Sequence, residues 1–273
     1  MLYIRKGPPK ISVAQKTAEI KRSETWKNLP DDAPEDKEEA SKYTTVLRDM
    51  FEQFPKSDIR ETVIKEQHGL CCYCMRKIAN SGDEMRIEHW YPLNMDKRKA
   101  IEYSNFLGEC TGVCSDRYSE FQCCDNSKKG EVIKLDPQNQ SMMDQIKYKN
   151  DGEIYFESSP AWSEEEVKRF EYEINEVLYL NGSPLVETMD SNSSYGGASR
   201  QRIGCNELKS RRESIIRACK DRLLNERRKN QSRSIPIATV QKWIDDIESM
   251  EEYPEYAGVM LFSYKRWLKN HKR

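Results

Sequence analysis

The densest chemical signal in the sequence is a set of cysteines. The chain has nine cysteines, and seven of them lie between Cys71 and Cys124. Cys71 and Cys74 form a C-x2-C pair, a spacing that lets two thiolates reach one tetrahedral Zn²⁺ from a tight turn. A second pair of ligands is available from a later group: Cys110, Cys114, Cys123 and Cys124. Four thiolates gathered in this way predict a structural zinc site.

The segment between the cysteine pairs predicts a hydrolytic centre. Glu88 and His89 are adjacent, and the chain has only three histidines. Asn105 and Asp125 follow downstream and complete a set of one base, one amide and two carboxylates. Hydrolysis of a phosphodiester needs an activated water and stabilisation of charge on the phosphoryl and leaving oxygens. These residue types can meet those needs. The alternative is that His89 has a purely structural role, which is the more common role of a lone histidine.

Two other interpretations of the cysteines are weaker. A redox pair at Cys71 and Cys74 lacks the surrounding βαβ pattern of such motifs. Merely buried cysteines do not account for the density of the cluster. An odd count in a protein expected in the reducing cytoplasm also favours metal binding over disulfides.

The elements that must position these residues divide the chain into three parts. Residues 1–58 form an N-terminal arm and helix, residues 59–140 hold the cysteine-rich core, and residues 141–273 combine a hairpin with a helical region. The first part is interpreted as packing on the core, with partner docking as the alternative. Its helix, closed by Pro55, has apolar residues at helical spacing: Tyr43, Val46, Leu47, Met50 and Phe54.

The third part carries clear local signals. Asn150-Asp151-Gly152 between alternating apolar residues predicts a β-hairpin, and Ser163 with Glu166 predicts a helix with a capping box. The Ser-, Asn- and Gly-rich stretch 187–199 predicts a mobile loop. Residues 200–233 contain twelve Lys/Arg and four Asp/Glu, which predicts a helix with one basic face. That face is either solvated or a place where phosphates bind.

Composition excludes some classes of protein. The 273-residue chain has a net charge of −1, which argues against indiscriminate binding of nucleic acid. No apolar run approaches the roughly 18 residues of a membrane span, and the N-terminus lacks the apolar run of a secretory signal. We therefore expect a cytoplasmic protein.

The order of the motifs resembles the HNH, or ββα-metal, endonucleases. It is most similar to the HNH proteins of bacterial anti-phage systems, namely the Septu type and those associated with retrons. The matching pieces span roughly residues 60 to 186: QHGLCCYC, RIEHWYPL, Y-x-NFLGEC, CCDNSKKG followed by LDP, the hairpin with Asp151-Gly152, and EVLYLNGSPLV. The resemblance implies an α+β fold with a small zinc-stapled ββα-metal core, a β-hairpin and a largely helical C-terminal region.

The resemblance also implies catalytic roles. His89 is the general base, and Asn105 orients its imidazole through the side-chain amide. Glu88 and Asp125 hold one catalytic divalent ion, Mg²⁺ or another, because oxygen ligands suit a hard cation. Lys128 is the substrate-binding lysine that faces a phosphate.

The structural zinc ligands implied by the resemblance are Cys71, Cys74, Cys110 and Cys124. The sequence departs from the family at two places. A longer path, TGVCSDRYSEFQC, separates the last two ligands and offers Cys114 and Cys123 as competitors. Glu88 stands where many of these nucleases have Asp, and its longer side chain alters the metal geometry. His68 is interpreted as structural.

The resemblance implies that the protein is the effector of a defence complex. Its expected partners are an ABC/SMC-like ATPase and, in retron systems, a reverse transcriptase with its DNA-linked RNA. DNA is favoured as the target over RNA or tRNA, although the chemistry needs no 2′-hydroxyl and does not choose between them. The alternative function is an inactive zinc-stapled scaffold that binds nucleic acid or a partner.

Overall fold

The computed structural model describes residues 1–112, 122–182, 207–229 and 234–271, and it has the expected mixed α+β architecture. The helices are α1 (Ile11–Arg22), α2 (Glu24–Asn28), α3 (Lys37–Glu52), α4 (Lys56–Glu66), α5 (Lys97–Ala100), α6 (Asp125–Lys128), α7 (Gln140–Met143), α8 (Glu164–Tyr172), α9 (Glu207–Lys229), α10 (Ile237–Glu248) and α11 (Ala257–His271). The strands are β1 (Met85–His89), β2 (Phe106–Cys110), β3 (Ile146–Tyr148) and β4 (Ile154–Phe156). A 3₁₀ turn (Tyr103–Asn105) precedes β2, and a π-helical turn (Glu173–Val177) follows α8.

The N-terminal arm packs on the core. The amide of Ile4 donates to the carbonyl of Pro137 at 2.8 Å. The Lys6 ammonium donates to Glu66 at 2.6 Å and to the carbonyl of Phe106, the first residue of β2, at 2.9 Å. Ile4 is almost fully buried. Within this chain the arm therefore contacts the core, as the packing interpretation expects.

The amphipathic segment before Pro55 is α3. Asp36 caps the helix, because its carboxylate accepts from the amides of Glu38 and Glu39. The predicted apolar face is the buried face, with Tyr43, Leu47 and Met50 inside. Pro55 is the N-cap of α4, and α4 packs on β2.

A two-stranded antiparallel sheet and a short helix form the centre of the chain. Strand β1 pairs with β2 so that Glu88 lies opposite Leu107 and His89 opposite Phe106. All five residues of β2 are buried. Because side chains alternate along a strand, Glu88 and Glu109 project from one face of this sheet, and His89 projects from the other. Helix α6 then supplies Asp125 as its first residue.

The predicted hairpin is the sheet of β3 and β4, with its turn at Asn150-Asp151-Gly152. Gly152 has a φ of +84°, and a Cβ there would lie 2.1 Å from the carbonyl oxygen of Lys209. Only glycine tolerates both the conformation and this close approach of α9. The predicted capping box is also present, since Ser163 and Glu166 exchange side-chain to backbone bonds.

The C-terminal helices α9, α10 and α11 pack together. Leu208, Cys219 and Trp243 are buried, and Trp243 packs on Tyr264 of α11 with ring centroids 5.4 Å apart. The Arg222 guanidinium lies 4.0 Å from the centre of the Trp243 ring. No helix among the described residues is long and apolar enough to cross a membrane. The predicted loop 187–199 lies outside the described residues.

Much of the basic character of α9 is used within the chain. Lys209 pairs with Asp151 at 2.8 Å, and Arg217 pairs with Glu213 at 2.9 Å. Arg212 is buried and donates to the backbone of the hairpin turn. These contacts favour the interpretation of α9 as a packed and solvated helix over a dedicated phosphate-binding face.

Candidate metal centres and active site

Four thiols from three separate segments meet in the core. Cys71 and Cys74 come from the turn after α4, Cys110 ends β2, and Cys124 precedes α6. All four are buried, and their sulfur atoms lie within 4.8 Å of one another. We call this group the thiol cluster. It is the set implied by the resemblance.

The spacing of the thiol cluster fits a tetrahedral metal. The Sγ–Sγ distances are 3.6 Å between Cys74 and Cys110, 3.8 Å between Cys110 and Cys124, and 3.9 Å between Cys71 and Cys124. Zinc–sulfur bonds of about 2.3 Å at tetrahedral angles require sulfur atoms about 3.8 Å apart. The four thiols therefore form a group that can hold a metal ion such as Zn²⁺.

The backbone between α4 and β2 is arranged around the thiol cluster. The buried Gln67 side chain donates to the carbonyl of Gly108 and accepts from its amide, both at 2.7 Å. The amide of Cys72 donates to the same carbonyl at 3.0 Å. These bonds join the C-x2-C turn to β2. Sequence reasoning did not identify Gln67.

A cation and a fifth sulfur lie beside the cluster. The Arg76 guanidinium donates to Cys110 Sγ at 3.0 Å and to Cys123 Sγ at 3.4 Å. Four thiolates around Zn²⁺ carry two net negative charges, which this guanidinium partly offsets. Cys123 lies 3.7 Å from Cys124 but outside the group of four. The other competitor, Cys114, lies outside the described residues.

Three carboxylates form a second group, which we call the carboxylate cluster. It consists of Glu88 on β1, Glu109 on β2 and Asp125 on α6, with oxygen atoms within 4.8 Å of one another. Both glutamates are almost fully buried. The structure thus brings Glu88 and Asp125 together as predicted, and it adds Glu109. The missed signal was an acidic residue in the otherwise apolar strand FLGEC.

Each buried glutamate keeps one oxygen unengaged. Glu88 Oε1 accepts from the Lys128 ammonium at 2.5 Å and from the Tyr73 hydroxyl at 2.8 Å. Glu109 Oε2 accepts from the Asp125 amide at 2.9 Å. Glu109 Oε1 is buried and has no hydrogen-bond partner. A buried acceptor without a partner is costly, and a cation at this point would satisfy it.

The electrostatics also favour a cation. Burial raises the pKa of Glu88 to about 7, Lys128 opposes this, and Asp125 adds to it. Burial and the nearby Glu88 and Asp125 carboxylates hold the pKa of Glu109 well above its usual range. Like charges in a desolvated site repel one another. A hard divalent ion such as Mg²⁺ prefers oxygen donors of this kind and would relieve the repulsion.

His89 ends β1 and is partly buried. Its ring packs edge-on against Phe51 and Phe106, with centroids 4.5 and 5.0 Å away. Its Nε2 lies 3.1 Å from the carbonyl oxygen of Ala100. Because a carbonyl only accepts, Nε2 carries the proton and Nδ1 keeps a lone pair. Burial lowers the pKa of His89 to about 3, so the ring is neutral near pH 7.

Asn105 does not contact the imidazole as the resemblance implied. Its buried amide accepts from the Tyr91 amide at 2.7 Å and donates to the carbonyls of Tyr91 and Lys99 at 2.8 and 2.9 Å. Asn105 therefore fixes the loop between β1 and β2. That loop includes Ala100, whose carbonyl holds the His89 ring. Any orienting effect on the ring acts through this backbone.

Lys128 does not face a phosphate, contrary to expectation. Its side chain is only 1% exposed. Besides Glu88, the ammonium donates to the carbonyls of His89 and Trp90 at 3.1 and 3.0 Å. This lysine is directed inward because it compensates a buried carboxylate. His68 stacks on Tyr253, with ring centroids 3.9 Å apart, in keeping with a structural role.

Comparison with known proteins adds no assignment. No protein-family model matches the chain, and no curated protein matches its sequence.

Proposed function

We propose that this protein is a metal-dependent HNH-type endonuclease that hydrolyses phosphodiester bonds in nucleic acid. One observation carries the proposal. Strands β1 and β2 and the short helix α6 bring three carboxylates together, and two of these are buried. Strand β1, which carries Glu88, ends at His89, whose Nδ1 lone pair is available. The resemblance of the motifs to HNH nucleases agrees with this arrangement.

The proposed chemistry assigns a task to each residue. Glu88, Glu109 and Asp125 hold a divalent ion, which supplies positive charge to stabilise the phosphoryl and leaving oxygens when bound. His89 accepts a proton from the attacking water at Nδ1, while its Nε2–H bond to Ala100 fixes the tautomer. The phosphate must span the end of the sheet, because His89 and the carboxylates project from opposite faces.

An inactive scaffold is the competing function. A scaffold needs the thiol cluster for stability, but it has no use for three carboxylates gathered within 4.8 Å. Burying three such groups beside a single ammonium, that of Lys128, opposes folding unless a further cation binds or a carboxyl group keeps its proton. The carboxylate cluster therefore supports the enzyme over the scaffold.

The biological setting of the proposal rests on the resemblance. We propose that the nuclease is the effector of an anti-phage complex with an ABC/SMC-like ATPase, and that retron forms add a reverse transcriptase with its DNA-linked RNA. DNA is the favoured target. Since residues 1–10 pack on the core, the C-terminal helices are the better candidates for partner contact. Deleting residues 1–55 would disturb the core as well as any docking surface.

The test uses purified protein with plasmid DNA and, separately, total RNA, each with Mg²⁺ or with a chelator. We expect cleavage only with the metal. His89→Ala should lower the rate at least about 100-fold, the usual contribution of a positioned base. His271→Ala is the matched control, because this exposed histidine hydrogen-bonds to and stacks on Trp267 of its own helix, and it belongs to neither cluster. The proposal would be contradicted if neither DNA nor RNA were cleaved, or if His89→Ala were as active as the parent.

A further inference from the structure

Lys128 is a buried cation placed against the carboxylate cluster. Its side chain and that of Glu88 are 1% and 3% exposed, and the two are joined at 2.5 Å. Its other two partners are backbone carbonyls at 3.0 and 3.1 Å. The ammonium thus has three oxygen partners inside the protein and no route to a bound phosphate.

The two carboxylate oxygens of Glu88 have different surroundings. Oε1 receives both the Lys128 ammonium and the Tyr73 hydroxyl. Oε2 receives no hydrogen bond from the described residues. Glu109 shows the same division, since Oε2 accepts from Asp125 and Oε1 has no partner. Each glutamate therefore has a single oxygen to offer.

The charges of the site balance only when Lys128 is counted. When all three carboxylates are ionised, as ligands of a bound divalent ion would be, they contribute −3 and Lys128 contributes +1, which leaves −2 for the site. One divalent ion brings this sum to zero. Without the lysine, the third carboxylate would leave a buried excess of one negative charge, which is costly in a desolvated site.

We propose that Lys128 is a charge-compensating residue of the carboxylate cluster. Its ammonium occupies Oε1 of Glu88, leaves only Oε2 available to a divalent ion, and lowers the negative charge that the ion meets. This inference rests on the divalent-ion site of the proposed function. It assigns Lys128 to metal affinity rather than to phosphate binding.

The experiment is a calorimetric titration of the zinc-loaded full chain with Mn²⁺, in the absence of nucleic acid. Glu109→Gln removes one ligand charge and should weaken Mn²⁺ binding about tenfold or more. Lys128→Gln removes the opposing cation and should tighten binding about tenfold. The double variant restores the site charge of −2, so its affinity should return to within about threefold of the parent.

Lys97→Gln is the matched control. Lys97 is also a buried lysine that donates to two backbone carbonyls, those of Trp26 and Leu29, but it lies outside the carboxylate cluster. Its variant should bind Mn²⁺ like the parent. Zinc content and thermal unfolding check the fold of every variant. If Lys128→Gln does not fold, Lys128→Met removes the charge, keeps a long side chain and should tighten Mn²⁺ binding to a similar extent.

The inference is overturned if Lys128→Gln binds Mn²⁺ no tighter than the parent. It is also overturned if the double variant stays as weak as Glu109→Gln, or if a folded Lys128→Met binds Mn²⁺ no tighter than the parent. The nuclease proposal is tested separately. A protein with the expected Mn²⁺ pattern that cleaves no nucleic acid keeps the role of Lys128 and loses the nuclease proposal.

Discussion

Glu109 and Cys110 are consecutive residues of β2, yet their side chains belong to different clusters. Glu109 lies in the carboxylate cluster and Cys110 in the thiol cluster. Cys124 and Asp125 repeat this relationship at the start of α6. Because side chains alternate along a strand, one peptide of β2 fixes both sites at once. The thiol cluster therefore positions two of the three carboxylates directly through the backbone.

The first prediction concerns this coupling. Cys74→Ser should remove the bound zinc and also weaken Mn²⁺ binding at the carboxylate cluster, because the segments that carry Glu109 and Asp125 lose their common anchor. Structural zinc sites contribute about 10–16 kcal/mol to the folding of small modules. Elemental analysis, circular dichroism and Mn²⁺ titration measure the three effects.

Cys219→Ser is the control for that variant. Cys219 is buried in α9, away from both clusters, so its replacement should preserve zinc and Mn²⁺ binding. Normal Mn²⁺ affinity in a zinc-free Cys74→Ser protein would show that the two sites are independent.

The second prediction decides between the competing cysteines. Cys123→Ser should retain one equivalent of zinc, because Cys123 lies outside the group of four. Cys110→Ser should lose it. Zinc content and the charge-transfer spectrum of the Co²⁺-substituted protein, which reports the number of thiolates, distinguish the two. Equal zinc loss in both variants would contradict the assignment of ligands.

The sequence was informative where local patterns specify local structure. The spacing of Tyr43, Leu47 and Met50 predicted α3, and Asn150-Asp151-Gly152 predicted the hairpin turn. The C-x2-C spacing predicted two thiols that meet. Each of these signals depends on residues that are close in the chain.

The features that were missed depend on register and on contacts between distant segments. The role of Glu109 follows from the pairing of β1 with β2, which a single acidic letter in FLGEC does not specify. The inward direction of Lys128 depends on a buried carboxylate 40 residues away. Asn105 was expected to orient the imidazole, but the hydrogen-bond partners of its side chain are backbone atoms of the loop.

The third prediction tests the clamp between the hairpin and α9. Arg212 is buried and donates to the carbonyls of Gly152 and Leu180 at 2.6 and 2.7 Å. Arg212→Met should lower the free energy of unfolding by about 3 kcal/mol, because it leaves buried carbonyls without donors.

Urea unfolding measures this effect. Arg217→Met, at an exposed position of the same helix that pairs with Glu213, should change the free energy of unfolding by about 0.5 kcal/mol or less. Similar values for the two variants would show that the Arg212 contacts do not hold the hairpin against α9.

The fourth prediction concerns the protonation of His89. Its pKa is lowered to about 3 in the folded chain by burial, against 6.5 for an ordinary histidine. Between these values the unfolded chain binds more protons than the folded one, so this residue makes stability rise with pH and fall on acidification. His89→Phe, which keeps an aromatic ring between Phe51 and Phe106, removes that dependence.

The measurement is urea unfolding of the parent and His89→Phe between pH 5.5 and 7.5, with zinc present for both. Relative to the variant, the parent should lose about 1.4 kcal/mol on going from pH 7.5 to 5.5, because most of the proton uptake by the unfolded histidine falls in this window. The other acidic and thiol groups are common to both proteins and cancel in the difference. If the free energies of unfolding of the parent and His89→Phe changed in parallel with pH, the His89 ring would titrate normally in the folded chain. A ring that is protonated below neutral pH would then be a poorer base there.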